Sequence, residues 1–293
     1  MAETRRKRLG DRRDGRRLRT LDPYTAMFPF LMKKKSGSSN YFSDSVEITE
    51  TEKYLREKRL NGYPGMGILH LFIATYIRVA AKYPAVNRFI SGQRLYARNN
   101  IEFVMTVKKE MKIAAPETSI KATFDPKDTI FDVYRKLNAE IEKVKNDMAE
   151  TSTDNIAKML IKLPRILLKF AIFVLECLDY FGLLPRFLLN ASPFHGSVII
   201  TDMGSIGVQA IYHHLYDFGN MPVFIALGVK RKERETKQDG TVAEKKYIDF
   251  KLVVDERICD GFYFSQAFKL FRSILRKPVE LDEPPQTVED DIE

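Results

Sequence analysis

Val253-Val254-Asp255-Glu256-Arg257-Ile258-Cys259-Asp260-Gly261-Phe262 packs three kinds of sequence into ten residues. The apolar run from Asp249 to Val254 reads as a strand, the charged residues after it as a turn, and Asp260-Gly261 as the turn's end. An amphipathic helix then begins, with Phe264, Phe268, Phe271 and Leu275 along one face. Glu256, Arg257 and Asp260 therefore sit where a buried strand ends, a frequent place for a site. A surface turn carrying a structural Asp–Arg pair is the other local reading.

The strands leading to this turn form hairpins. Tyr247 to Val254 is reached through Asp239-Gly240, a two-residue hairpin signal. Val223 to Val229 is a further strand. Ser197 to Ile200 is continuously apolar, as a strand buried on both faces would be, and ends in Thr201-Asp202-Met203-Gly204-Ser205. Upstream, Gln93 to Thr106 alternates across Asn99-Asn100 like a hairpin, Ile113 to Phe124 supplies further strand, and Tyr41 to Thr49 another.

Three helices are signalled between them. Thr49 with Glu52 has the spacing of a capping box ahead of a helix to Arg59. Met66 to Tyr83 has the period of a core helix and stops before Pro84; His70 inside it reads as a packed histidine. Asp128-Thr129 caps Ile130 to Met148. Helices and strands alternate without internal repeat, P-loop or dinucleotide glycine fingerprint, which predicts an α+β fold: one mixed sheet with packed helices.

Ile156 to Leu189 is the most unusual segment. Lys158, Lys162, Arg165, Lys169, Glu176 and Asp179 fall within an arc of about 100° on a helical wheel, and the remainder is apolar. Pro164 marks the start of a second helix. The longest uncharged apolar run is too short to span a bilayer, so the segment is expected to lie under the sheet first, at an oligomer interface second, on a membrane third.

The 293 residues suffice for a large core, and 44% hydrophobic with 30% charged residues is a globular composition. Two distant cysteines, Cys177 and Cys259, argue against a disulfide scaffold or zinc site and fit a reducing compartment, and no secretory signal is recognised; a cytoplasmic location and no metal are expected. The net charge of +9 is unevenly spread. Residues 1–20 carry nine bases against three acids, and residues 282–293 carry six acids and no base. These ends read as solvated tails flanking a domain at 21–281, the basic one able to make weak nonspecific contact with nucleic acid or anionic lipid.

Three stretches in register resemble the chloramphenicol acetyltransferase-like fold, and within it the acyltransferase domain of 2-oxo acid dehydrogenase complexes (dihydrolipoamide acyltransferases). They are Tyr41–Asn87, residues 196–228 (GSVIITDMGSIGVQAIYHHLYDFGNMPVFIALG) and residues 253–275 (VVDERICDGFYFSQAFKLFRSIL), together ordering residues 25–280. The resemblance implies acyl transfer from acyl-coenzyme A as co-substrate to an unidentified acceptor, in a homotrimer where the base of one subunit faces the hydroxyl of its neighbour. It places the oxyanion donor at Thr201, followed by Asp202, and the architectural Asp-Gly at Asp260-Gly261. The base position, four residues before Asp260, holds Glu256 where the family has histidine. A glutamate of ordinary pKa ~4.3 is a weak base for a thiol of ~8.5 unless burial raises it, so His195, His213 and His214 are alternative bases. No lipoyl domain precedes the resemblance, which implies a stand-alone relative. Two further readings stand beside the enzyme: an inactive trimeric scaffold or acyl-CoA-binding module, and a membrane- or RNA-associated protein acting through the basic tail and apolar helix.

Overall fold

The computed structural model describes residues 7–108, 117–146, 152–236 and 239–293. Nine strands and eight α-helices occur among them, in the order β1 (Gly15–Arg17), α1 (Pro23–Leu31), β2 (Ser39–Glu47), α2 (Thr49–Leu60), α3 (Ile68–Lys82), β3 (Arg88–Ser91), β4 (Arg94–Arg98), β5 (Ile101–Lys108), β6 (Glu117–Phe124), α4 (Ile130–Asn146), α5 (Ser152–Ile161), α6 (Arg165–Tyr180), α7 (Arg186–Ala191), β7 (Val198–Asp202), β8 (Val223–Thr236), β9 (Val242–Asp255) and α8 (Gly261–Arg276).

A six-stranded sheet in the order β2-β9-β8-β7-β5-β6 carries the fold, and β1-β4-β3 form a second, small sheet. The large sheet is mixed: β5–β7 and β7–β8 are parallel and the other pairs antiparallel. The α+β expectation therefore holds. Strand alternation splits its residues between two faces. Val198, Ile200, Val223, Ile225, Phe250, Leu252 and Val254 point to a core shared with α3, α4 and α8. Ile199, Phe224 and Val253 point the other way and are covered by Leu215 and Tyr216 of the loop after β7.

Several local expectations hold for the physical reason given, and others yield to tertiary partners. Thr129 and Asp132 form a reciprocal cap on α4: Thr129 N–H donates to Asp132 Oδ2 (2.9 Å) and Asp132 N–H to Thr129 Oγ1 (3.3 Å). His70 is packed, its Nδ1 accepting from Gly67 N–H at 3.1 Å. Thr49 does not cap α2. Its hydroxyl accepts from Lys246 N–H of β9 (3.0 Å), and Glu52 turns to Lys230, so sheet pairing takes the groups of the expected capping box. Asn99-Asn100 is no hairpin turn either: it carries the chain from the small sheet into the large one. The hairpin closes at Gly92-Gln93, whose φ values of 55° and 58° suit a type I′ turn. The expected strand residues 113–116 and helix residues 147–148 lie outside the described residues.

Residues 11–20 and 289–293 are not solvated tails. Arg12 and Leu18 are buried and β1 pairs with β4. At the other end Asp291 bridges Arg88 (2.8 Å to Nε), and the Glu293 carbonyl accepts from Arg19 N–H and Thr20 N–H, both at 2.7 Å. Opposite charge at the two ends draws them onto the body and onto each other.

The 156–189 segment also departs from its first-ranked reading. It is split at Leu163-Pro164, and the sheet does not cover it: Ile166 (82% exposed), Leu167, Phe170, Phe173, Phe181 and Phe187 are all exposed. Asp179, assigned by the wheel to the solvent arc, is buried. No described helix is long and apolar enough to cross a membrane.

Candidate active site

The turn after β9 separates its charged residues by the same alternation that built the strand. Asp255 and Arg257 point inward and are buried; Glu256 points outward and is exposed. Arg257 grips Asp255 with two bonds, Nε to Oδ1 and Nη2 to Oδ2, both 2.7 Å, and donates Nη1–H to the Met32 carbonyl at 2.6 Å. Ser38 Oγ–H donates to Asp255 Oδ1 at 3.2 Å. A bidentate pair buried this completely locks the turn. The structural Asp–Arg pair read locally from sequence is thus real, and it is Asp255 with Arg257. Lys35 lies in the same wall, its ammonium on the Asp217 and Gly219 carbonyls; burial pushes it down to about 8 against the pull of Asp255.

Glu256 is held from two sides. Its N–H donates to the Ser38 carbonyl (2.9 Å), and Asn40 Nδ2–H donates to its Oε2 (3.0 Å). Asp260 is the N-cap of α8: its Oδ1 accepts from Tyr263 N–H at 2.9 Å, and Gly261 is the first helical residue. Among the described residues, no hydrogen bond joins Asp260 to Glu256 or Arg257. Cys259 between them is partly buried against the core, and burial pushes its thiol up to about 12, so it stays protonated near neutral pH.

Thr201 is the next-to-last residue of β7, with its side chain on the second face of the sheet. Its hydroxyl reaches Met203 Sδ at 3.8 Å and no other partner among the described residues. The following 3-10 turn is fixed by Asp202, whose Oδ1 accepts from Ser205 N–H at 3.1 Å. Gly204 and Gly228 pack backbone to backbone there: a Cβ on Gly204 would stand 2.4 Å from the Gly228 carbonyl oxygen. Strand register sets Thr201, Ala226, Lys251 and Ser43 in one row. Glu256 lies five residues beyond Lys251, and β9 is two strand spacings from β7, with β8 between them. At ~3.3 Å per residue and ~4.8 Å per strand, Thr201 and Glu256 are roughly 19 Å apart in one chain. The chain does not bring the two together by itself.

The histidines separate cleanly. His195 is buried, with Nδ1 2.7 Å from Ser192 Oγ and Nε2 3.3 Å from Asp179 Oδ1; burial holds it neutral despite that carboxylate. His213 stacks on Phe224, ring centroids 4.2 Å apart and planes within 5°, and burial lowers its pKa as well. Phe224 neighbours Ile199, two residues from Thr201, so His213 shares Thr201's face of the sheet. His214 is exposed. Lys251 reaches over the same face, its Nζ 4.9 Å from the Tyr212 ring.

One polar network escaped the sequence. Arg12 donates Nε–H to Asp14 Oδ1 (2.9 Å) and Nη2–H to Asp179 Oδ1 (2.6 Å), joining the segment before β1 to α6. Burial works to raise Asp179, and His195 and Arg12 overcome it, holding the carboxyl down to about 2. Partners separated by 167 positions leave no local signal. No cluster able to hold a metal occurs among the described residues.

No family model matches the sequence, and no curated protein matches it. The fold does have relatives among solved structures. A probable dihydrolipoamide acetyltransferase from Listeria monocytogenes superposes with a TM-score of 0.56 at 13% identity, over 90% of this chain and 95% of the other. The dihydrolipoamide acetyltransferase of Azotobacter vinelandii gives 0.55 at 11%, over 88% of each chain. A chloramphenicol acetyltransferase gives 0.50 at 11%, over 88% of this chain and 99% of the other. The chain has the chloramphenicol acetyltransferase-like fold, as its three stretches in register led one to expect.

Proposed function

We propose that this chain is an acyltransferase acting as a homotrimer, moving an acyl group from acyl-coenzyme A to a small acceptor. The observation that carries the reading is the state of Thr201: a strand-end hydroxyl in the acyltransferase fold, committed to nothing stronger than a thioether. The acceptor nucleophile gives its proton to a base and attacks the thioester carbonyl. The Thr201 hydroxyl donates to the resulting oxyanion, which collapses to release the coenzyme A thiolate, and the thiolate takes up the proton. Glu256 acts as base from the neighbouring subunit, since ~19 Å within one chain is far beyond hydrogen-bond reach. Asp260 serves through α8, by capping the helix that follows the turn.

The test is acyl-coenzyme A turnover by the purified full chain, with Thr201→Ala and Glu256→Gln alongside. Turnover that falls in both variants supports the reading. No turnover with acyl chains from acetyl upward ends it, and retained acyl-coenzyme A binding would then identify a binding scaffold. A second reading rests on the exposed apolar residues of α1, α6 and α7, with Lys162, Arg165 and Lys169 exposed beside them. Aromatic and aliphatic side chains next to bases suit adsorption to an anionic lipid surface. Co-sedimentation with phosphatidylserine vesicles that is no greater than with phosphatidylcholine vesicles would exclude it.

A further inference from the structure

A polar cavity of about 390 Å³ opens on the sheet face that carries Thr201, between β5, β6, the end of β4, α7 and the segment just before β1. Arg98 and Lys121 supply its inner charge. Arg98 is 9% exposed and lies with its guanidinium carbon 4.2 Å from the Phe89 ring centroid. Its Nη2 donates to Asn220, 2.9 Å to Oδ1, while Nε and Nη1 are buried and find no acceptor among the described residues. Lys121 projects from β6 and spends one hydrogen on the Leu189 carbonyl at 2.7 Å. Burial pushes its ammonium down to about 8, with Glu102 pulling the other way.

The acids nearby do not balance these charges. Asp14 is engaged by Arg12 (2.9 Å) and Asn220 (2.8 Å). Asp14 also faces Arg98, so the charged lining sets Asp14 and Glu102 against Arg98, Lys121 and the exposed Arg13 and Arg186 at the rim, an excess of positive charge. A buried guanidinium with unmet donors is costly, and the remedy is an acceptor bearing negative charge. A planar fork beside an ammonium matches the two oxygens of a carboxylate or phosphoryl group. The volume falls within the range of small-ligand sites of ~300–1,000 Å³.

We infer that this cavity binds a small oxyanion-bearing molecule, its carboxylate or phosphoryl oxygens held by Arg98 and Lys121. The site stands independently of acyl transfer, because its evidence is charge and geometry alone. Lys121 registers with Val104 and, through it, with Ile199, two residues from Thr201. The bound anion thus lies on Thr201's face, roughly 12 Å or more from the hydroxyl by strand spacing.

The experiment is calorimetry and thermal melting of the full chain with inorganic phosphate, acetate and succinate, against sodium chloride at matched ionic strength. Phosphate or a carboxylate should raise the melting temperature by several degrees beyond chloride, and whichever responds names the headgroup. Lys121→Met should weaken that binding at least about tenfold, as loss of a charge-assisted partner does, while the anion-free protein melts no lower. Arg98→Lys, which keeps the charge and removes the fork, should weaken it further for a carboxylate than for phosphate. Equal responses to all salts, or unchanged binding in Lys121→Met, overturn the inference.

Discussion

Asp179→Asn is the sharpest probe of what ties α6 to the body. Asp179 is buried between Arg12 and His195, and its carboxyl is held down to about 2 from an ordinary 3.8. A depression of nearly two units corresponds to about 2–3 kcal/mol of stability at neutral pH. Because the folded pKa is the lower one, that contribution is complete above pH ~5 and disappears as pH falls toward 2. The amide keeps the shape but deprives Arg12 Nη2 of its charged partner, leaving Asp14 as the one carboxylate on the guanidinium, beside the neutral acceptors Ser91 Oγ and the Asp179 carbonyl. We expect a loss of about 3 kcal/mol at pH 7, which for a chain of this size is a drop of roughly 6–10 °C in melting temperature. The assay is thermal and urea denaturation of both proteins from pH 7 to pH 3. The gap should narrow with acid, since wild type loses what the variant never had. A variant as stable as wild type at pH 7, or a gap that stays constant down to pH 3, refutes the assignment of that energy to Asp179.

Three further outcomes follow from named contacts. Asp260→Ala should cost about 1 kcal/mol by urea denaturation through loss of the α8 cap, and Asp260→Asn should restore it; a large loss of turnover in the Asn variant at unchanged stability would show a role beyond capping. Gly92→Ala should destabilise by about 2 kcal/mol or more, because φ is +55° and the new Cβ would stand 2.2 Å from the Tyr180 carbonyl oxygen; a neutral effect in thermal melting would mean that the β3–β4 turn does not pin α6. Ile166→Asp with Phe170→Asp should leave melting within about 0.5 kcal/mol each while abolishing vesicle binding, and a large destabilisation would instead place that face in a subunit interface.

The legibility of this fold followed from the distance over which each element is decided. Strand alternation around Phe250, Leu252 and Val254, the α3 period and the Thr129 cap are local, and sequence carried them into the structure intact. The Thr49 box failed because Lys246, nearly two hundred positions away, competes for the same hydroxyl. The tails failed for a related reason. A charged end reads as solvated only until a complementary charge such as Asp291 or Arg88 is placed beside it. For the candidate site, the strand, turn and helix that carry Thr201, Glu256 and Asp260 were legible and the partners of these side chains were not. Nothing in the spacing of His213 or Lys251 announces that both come to lie over the Thr201 face.

The turn after β9 finally separates two things that a motif runs together. Asp255 and Arg257 are inward, mutually paired and tied to Ser38 and Met32, so the turn's shape depends on them. Glu256 is outward, and its side chain contacts only exposed Asn40 by hydrogen bond among the described residues. A change of residue type at 256 therefore leaves every buried partner of the turn satisfied. Preservation of the fold around that position carries no information about chemistry there. What can carry it is the second face of the sheet, where Thr201, Lys251 and His213 gather while Glu256 of the same chain stands about 19 Å off. On the proposed acyl transfer a base has to reach that face, and Glu256 of a neighbouring subunit and His213 of the same chain are two candidates for it. The two are separable, because removing Glu256 disturbs nothing buried, whereas removing His213 uncovers Phe224.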